Sequence, residues 1–152
     1  MAGKSCFLIG HREICGNISQ ILETEIEKHI TQYGVSEFIV GGYGEFDRLV
    51  ASVLFHVRQR YPSIRILLLL PYFPIPNLKE KAKGFDDTFF PPEIEKVPRR
   101  YAIVRANRYV TDHVDYLIAY VWHPASNARE LVEYAQRREA NGYIKATIIN
   151  QQ

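Results

Sequence analysis

Short apolar runs alternate with longer amphipathic stretches along this chain, and that alternation constrains its fold more than any other feature. Ser5–Ile9 reads as a strand. Ile14, Ile18, Ile21, Leu22 and Ile26 follow at helical spacing, and Gly34 closes that helix. Glu37–Val40 is a second strand, ended by Gly41-Gly42-Tyr43-Gly44. Phe46, Leu49, Val50, Val53, Leu54 and Val57 mark one stripe of a second helix. Ser63–Leu70 is a third strand, so uniformly apolar that it suits burial on both faces of a parallel sheet. Arg99–His113 is a third helix with Ile103, Ala106 and Val110 inward, and Asp115–Val121 a fourth strand. Asn127–Ala140 is a fourth helix with Ala128, Leu131, Val132 and Ala135 inward, ended by Gly142. Tyr143–Ile149 is a fifth strand. Strands alternating with helices predict one parallel α/β sheet with right-handed crossovers.

Only the stretch from Pro71 to Pro98 breaks the pattern, with six prolines and a lysine patch at Lys79, Lys81 and Lys83. It reads as an excursion over the sheet edge, with a short helix near Leu78–Lys83 and a short strand near Asp86–Phe90. A lid and a structural crossover are both open readings of it. At 152 residues the chain is one domain's worth, and 47% hydrophobic with 24% charged residues excludes disordered and collagenous classes. A net charge of +2 argues against a nucleic-acid surface.

No apolar run reaches the roughly 20 residues of a membrane span. Met1-Ala2-Gly3-Lys4 also leads into too short a run for a secretory signal. The expectation is a soluble, cytoplasmic protein with reduced Cys6 and Cys15, Cys6 serving as a small core residue. His11, His29, His56, His113 and His123 are too scattered to suggest a metal site, and His29 and His56 read as solvated helix-surface residues. Phe55, Phe73, Phe89 and Phe90 are candidates either for the core or for a homo-oligomer interface.

In a doubly wound sheet, ligands bind beyond the carboxyl ends of the strands, where strand order reverses. That rule selects Gly10-His11-Arg12, Gly41-Gly42-Tyr43-Gly44 and Trp122 to Asn127, with the polar face of the third helix. Gly10 permits a sharp turn, and Arg12 can grip a phosphate bidentately. Glycines before the second helix let a phosphate approach free amides at its N-terminus. Asp47, in the first turn of that helix, suits a ribose hydroxyl, loop amides or the helix dipole. Tyr101, Arg105, Arg108 and Asp112 form one stripe of the third helix, suited to an anion or to ordinary surface ion pairs. Ser126 or Asn127 can cap the fourth helix with Glu130 reaching back, and the same amides can hold an anion.

These segments together resemble one family. Cys6-Phe7-Leu8-Ile9-Gly10-His11-Arg12 is similar to the "CFxGHR" opening of the SLOG superfamily. Phe38-Ile39-Val40-Gly41-Gly42-Tyr43-Gly44-Glu45-Phe46-Asp47 is similar to its "GGxxGFD" element. The stretch from Arg105-Ala106-Asn107-Arg108 to Ala119-Tyr120-Val121 is similar to its "RNRxMVDxxDxLIAYV" block. The resemblance spans nearly the whole chain and fits best the small bacterial YpsA-like branch, related to DNA-processing protein A and the lysine-decarboxylase-like phosphoribohydrolases.

The resemblance implies a single Rossmann-like, doubly wound, mainly parallel sheet of about five strands over residues 1–152. It also implies a pocket for a nucleotide or nucleotide-derived ligand of the ADP-ribose or NAD type, and fixes no cofactor. Carried over, Gly10, His11, Arg12, Gly41, Gly42, Gly44, Asp47, Arg105 and Arg108 line that pocket. The chain departs from the family after the fourth strand, where Pro124-Ala125-Ser126-Asn127 replaces the usual glycines.

A binding or sensing module for such a ligand is the expected function. The alternative is an N-glycosidic phosphoribohydrolase acting on a nucleoside monophosphate, in which Glu130 and Arg105 are the candidate catalytic pair.

Overall fold

The computed structural model describes residues 3–14, 16–42, 44–72, 74–121 and 127–149, with Asn127 described in its backbone alone. Cys15, Tyr43, Phe73, the segment 122–126 with Ser126, and the side chain of Asn127 lie outside the described residues.

Strands β1 (Lys4–Gly10), β2 (Val35–Val40), β3 (Arg65–Leu69), β4 (Asp87–Phe89), β5 (Tyr116–Tyr120) and β6 (Lys145–Ile149) form one sheet in the order β4-β3-β2-β1-β5-β6. Every pairing is parallel. Helices α1 (Ser19–Thr31), α2 (Glu45–Arg58), α3 (Leu78–Lys81), α4 (Arg99–His113) and α5 (Asn127–Ala140) connect them. The architecture is a Rossmann-like doubly wound α/β fold. The sixth strand is the short β4, in the region where Asp86–Phe90 reads as extended.

Alternation along β1 divides the core. Cys6 and Leu8 face α1 and α2, joining Leu22, Ile26, Phe46, Val50 and Leu54. Phe7 and Ile9 face the opposite side, joining Ala106, Val110, Leu131, Val132 and Ala135 of α4 and α5. Because both faces are covered, the strands carry nearly continuous apolar runs. Strand order runs outward from β1 to β4 on one side, then returns to β5 on the other side of β1. The reversal point therefore lies at the carboxyl ends of β1 and β5.

The proline-rich segment is a packed crossover over at least its first half. Ile75 is buried with Leu68 and Leu70, and Leu78, Ala82 and Phe85 pack against them. Arg58 donates to the Gly84 carbonyl at 2.9 Å and pairs with Asp86 at 3.2 Å, while the Ile66 amide donates to the Asp86 carboxylate at 2.7 Å. Phe55 packs edge-on against Phe85, and Phe89 stacks on Tyr109. Both rings are thus engaged within the chain, and Phe90 is exposed.

Two local expectations change. The first helix begins at Ser19, not near Ile14, because the preceding loop is drawn to α2: the Ile14 amide donates to the Glu45 carboxylate at 3.3 Å. Asn17 supplies the start signal, its side-chain oxygen accepting from the Ser19 amide at 3.2 Å.

His29 is fully buried rather than solvated, whereas His56 is exposed as expected. Its Nδ1 donates to the Glu25 carbonyl at 2.7 Å, and its buried Nε2 has no hydrogen-bond partner among the described residues. The ring stands edge-on to Tyr33 and Tyr116, which stack on each other at 5.1 Å. The Lys145 ammonium sits 3.0 Å from the Tyr33 hydroxyl and 4.3 Å from its ring centre.

Desolvation holds the His29 pKa below its ordinary 6.5, outweighing the Glu25 carbonyl and carboxylate, and nearby Lys145 and Lys28 push the same way. The native state therefore keeps this ring neutral where the unfolded chain is already protonated. The unfolded state then binds more protons, so stability is full above about pH 6.5 and is lost as pH falls below it. Urea unfolding between pH 7 and 5 is expected to show this loss in the wild type and a flatter profile in His29→Phe. Parallel profiles for the two proteins would refute it.

Candidate functional site

A cavity of about 390 Å³ opens at the strand-order reversal. Its lining joins Gly10, His11 and Arg12 after β1 with Gly41 after β2 and Asp47 in the first turn of α2. Phe7, Ile9 and Leu69 form apolar walls on the sheet side. Helix α4 supplies the facing wall through Arg100, Ile103, Val104 and Asn107.

Local sequence explains the loop geometry. Gly10 lies directly against the Phe46 ring, and a Cβ there would fall 2.6 Å from the ring. Gly44 has φ of +140°, and a Cβ there would fall 2.8 Å from the Arg12 Cα. That close approach lets the Glu45 amide donate to the Arg12 carbonyl at 2.7 Å. The loop carrying Arg12 is thereby clasped to the start of α2. At Gly41 a Cβ would stand 3.0 Å from an oxygen of Asp47, so the missing side chain makes room for that carboxylate at the end of β2. His11 is nearly buried, its ring edge-on to the fully buried Tyr120 at 6.2 Å.

The charge arrangement is uneven. Arg58, Arg60, Arg65 and Arg138 are all ion-paired elsewhere on the chain. Among the described residues, Arg12 and Arg100 hold no carboxylate; Arg100 lies over the Tyr101 ring at 4.9 Å. Two exposed cations therefore border one cavity. Its neighbour Arg99 anchors the crossover instead, donating to the Pro74 carbonyl at 3.1 Å and stacking over Tyr72.

Not every residue singled out from the sequence meets here. Gly42 and Gly44 both lie outside the cavity lining, and Gly44 acts on the site only by clasping the Arg12 loop. Arg105 projects into a separate cleft of about 260 Å³ against the 3-10 turn Ile94–Lys96, lined by Pro91, Pro98 and Tyr109. Arg108 lies over the Tyr134 ring at 4.9 Å and borders a small cleft with Glu130. Asp112 accepts from Tyr134 and pairs with Arg138 at 3.4 Å, so only the Arg108 and Asp112 end of the stripe faces α5. Glu130 and Arg105 border different clefts. Ile103, read from the sequence as core, is half-buried and lines the cavity.

Sequence reasoning saw Arg100 only as one of the four arginines crowded into residues 99–108 and did not single it out as a site residue, and it missed Asn107 as one. The signal was present: residues 100, 103, 104 and 107 make one helical stripe, two polar positions bracketing two apolar ones.

Among the described residues no cluster of three or more His, Cys, Asp or Glu side chains is placed to hold a metal, and no helix is long and apolar enough to cross a membrane. Burial pushes the Cys6 thiol pKa far up, leaving it inert. Comparison of the sequence with protein-family models and with curated proteins finds no match.

Proposed function

We propose that this chain binds a small anionic, nucleotide-derived ligand at the carboxyl ends of its strands, as a binding or sensing module of the SLOG type. The observation that carries the reading is the cavity at the strand-order reversal, bordered by two arginines that hold no carboxylate among the described residues. Its volume falls in the range of small-molecule sites, roughly 300–1,000 Å³. It is small for a whole dinucleotide and suits a nucleoside monophosphate or one half of an ADP-ribose-like molecule.

Asp47 supports the same reading. A carboxylate repels phosphate, so the ligand's anion belongs with Arg12 and Arg100, and hydroxyl donors belong at Asp47. The hydrolase alternative has less support, because Glu130 and Arg105 do not share a cavity.

Differential scanning with AMP, ADP-ribose and NAD at millimolar concentration tests the reading. A ligand at about 100 times its Kd stabilises by about 2.7 kcal/mol, which raises Tm by roughly 5–10 °C for a chain of this length. Arg12→Ala and Arg100→Ala are each expected to weaken that binding about 10- to 100-fold. No shift with any of the three ligands would overturn the proposal.

A further inference from the structure

The stripe on α4 carries an inference about ligand orientation that rests on the reading above. Arg100 stands near the start of the helix, exposed, at the cavity border. Asn107 stands two turns further along, half-buried, on the same face. Seven residues at a rise of about 1.5 Å separate them by roughly 10 Å along the axis. A nucleoside monophosphate has a comparable span from its phosphate to the far edge of its base.

Between these two polar positions the helix offers only Ile103 and Val104, and the sheet opposite offers Phe7, Ile9 and Leu69. That makes an apolar slot between helix and sheet, suited to a flat ring. Because α4 leads into β5 of a parallel sheet, it runs from the carboxyl ends of the strands toward their amino ends. Asn107 therefore marks the inner end of the slot. Its carboxamide has no hydrogen-bond partner among the described residues. A carboxamide presents a donor and an acceptor side by side, the complement of a nucleobase edge.

We propose that the ligand enters base first, with Asn107 hydrogen-bonding the base edge and Arg100 holding the phosphate at the mouth. The structure thus assigns Asn107 as a specificity residue for the heterocycle, separate from the phosphate contacts.

Isothermal titration of AMP and of ribose 5-phosphate against wild type, Asn107→Leu and Arg100→Ala separates the two roles. Asn107→Leu is expected to weaken AMP about 10- to 100-fold and to leave ribose 5-phosphate unchanged. Arg100→Ala is expected to weaken both. If Asn107→Leu does not fold, Asn107→Asp keeps the shape, removes the donor and reads the same ratio. Equal losses for both ligands, or no loss for AMP, would overturn the orientation while leaving the binding function standing. Failure of AMP and ribose 5-phosphate to bind the wild type would overturn the orientation, and failure of ADP-ribose and NAD as well would overturn the function with it.

Discussion

Phe46→Ala is expected to destabilise the protein by about 3–5 kcal/mol, the largest effect of any single truncation near the site. Phe46 is 1% exposed and stacks on the fully buried Tyr120 at 5.7 Å with the rings nearly parallel. Its other neighbour is the backbone of Gly10, which rests against the ring. Truncation therefore leaves a void under the core and under the cavity floor at once, and a close-packed interior relaxes only partly into it. The loss corresponds to a fall in Tm of roughly 10 °C or more. Ligand-induced stabilisation should shrink in parallel, because Gly10 loses the surface that positions it. A urea denaturation loss under 1 kcal/mol would show that the ring is not the support described here.

Gly44→Ala is expected to cost roughly 2–4 kcal/mol, combining backbone strain with a steric clash. The φ of +140° is one that side chains rarely adopt, and the added Cβ would meet the Arg12 Cα at 2.8 Å and its carbonyl oxygen at 3.0 Å. Both contacts are backbone, so neither can swing aside. Relief requires moving the Arg12 loop away from α2 and breaking the 2.7 Å bond from the Glu45 amide. Nucleotide binding should fall at least tenfold with it. Gly34→Ala is the control. That glycine has a φ of +74° but open space around its Cβ position, so it reports conformational strain alone, about 1–2 kcal/mol. Equal costs at the two positions, with binding intact in both, would refute the clasp.

Several elements were legible without coordinates because local chemistry alone decides them. The stripe of α2 and the inward face of α5 each repeat with one period and are buried on the side that period selects, while the unbroken apolar run of β3 contributes to the core on both faces of the sheet. His29 shows where a composition habit overrode a readable signal. It falls three residues after Ile26, which falls four after Leu22, so helical spacing alone assigns it to the buried stripe. Its identity as a titratable residue suggested the surface. Its burial among Tyr33 and Tyr116 depends on strands that come together only in the sheet.

Helix α4 shows the harder limit. It carries four arginines spread around its circumference: Arg99, Arg100, Arg105 and Arg108. Two stripes combine polar and apolar groups, one from Arg100 to Asn107 and one from Tyr101 to Asp112, and helical periodicity favours neither. Packing breaks the tie. Ala102, Ala106 and Val110 turn inward, and the small side chain of Ala102 helps the first turn sit close to the protein. That rotation aims Arg100 and Asn107 at the cavity and leaves Arg105 and Arg108 on the outer side.

The chain's order of strands, helices and glycine turns, and the strand ends at which a site belongs, follow from short-range periodicity and backbone preference written in the sequence. Which arginines reach that site follows from the rotation of one helix against the sheet. That rotation depends on contacts between residues far apart in the chain, so only the tertiary structure decides it.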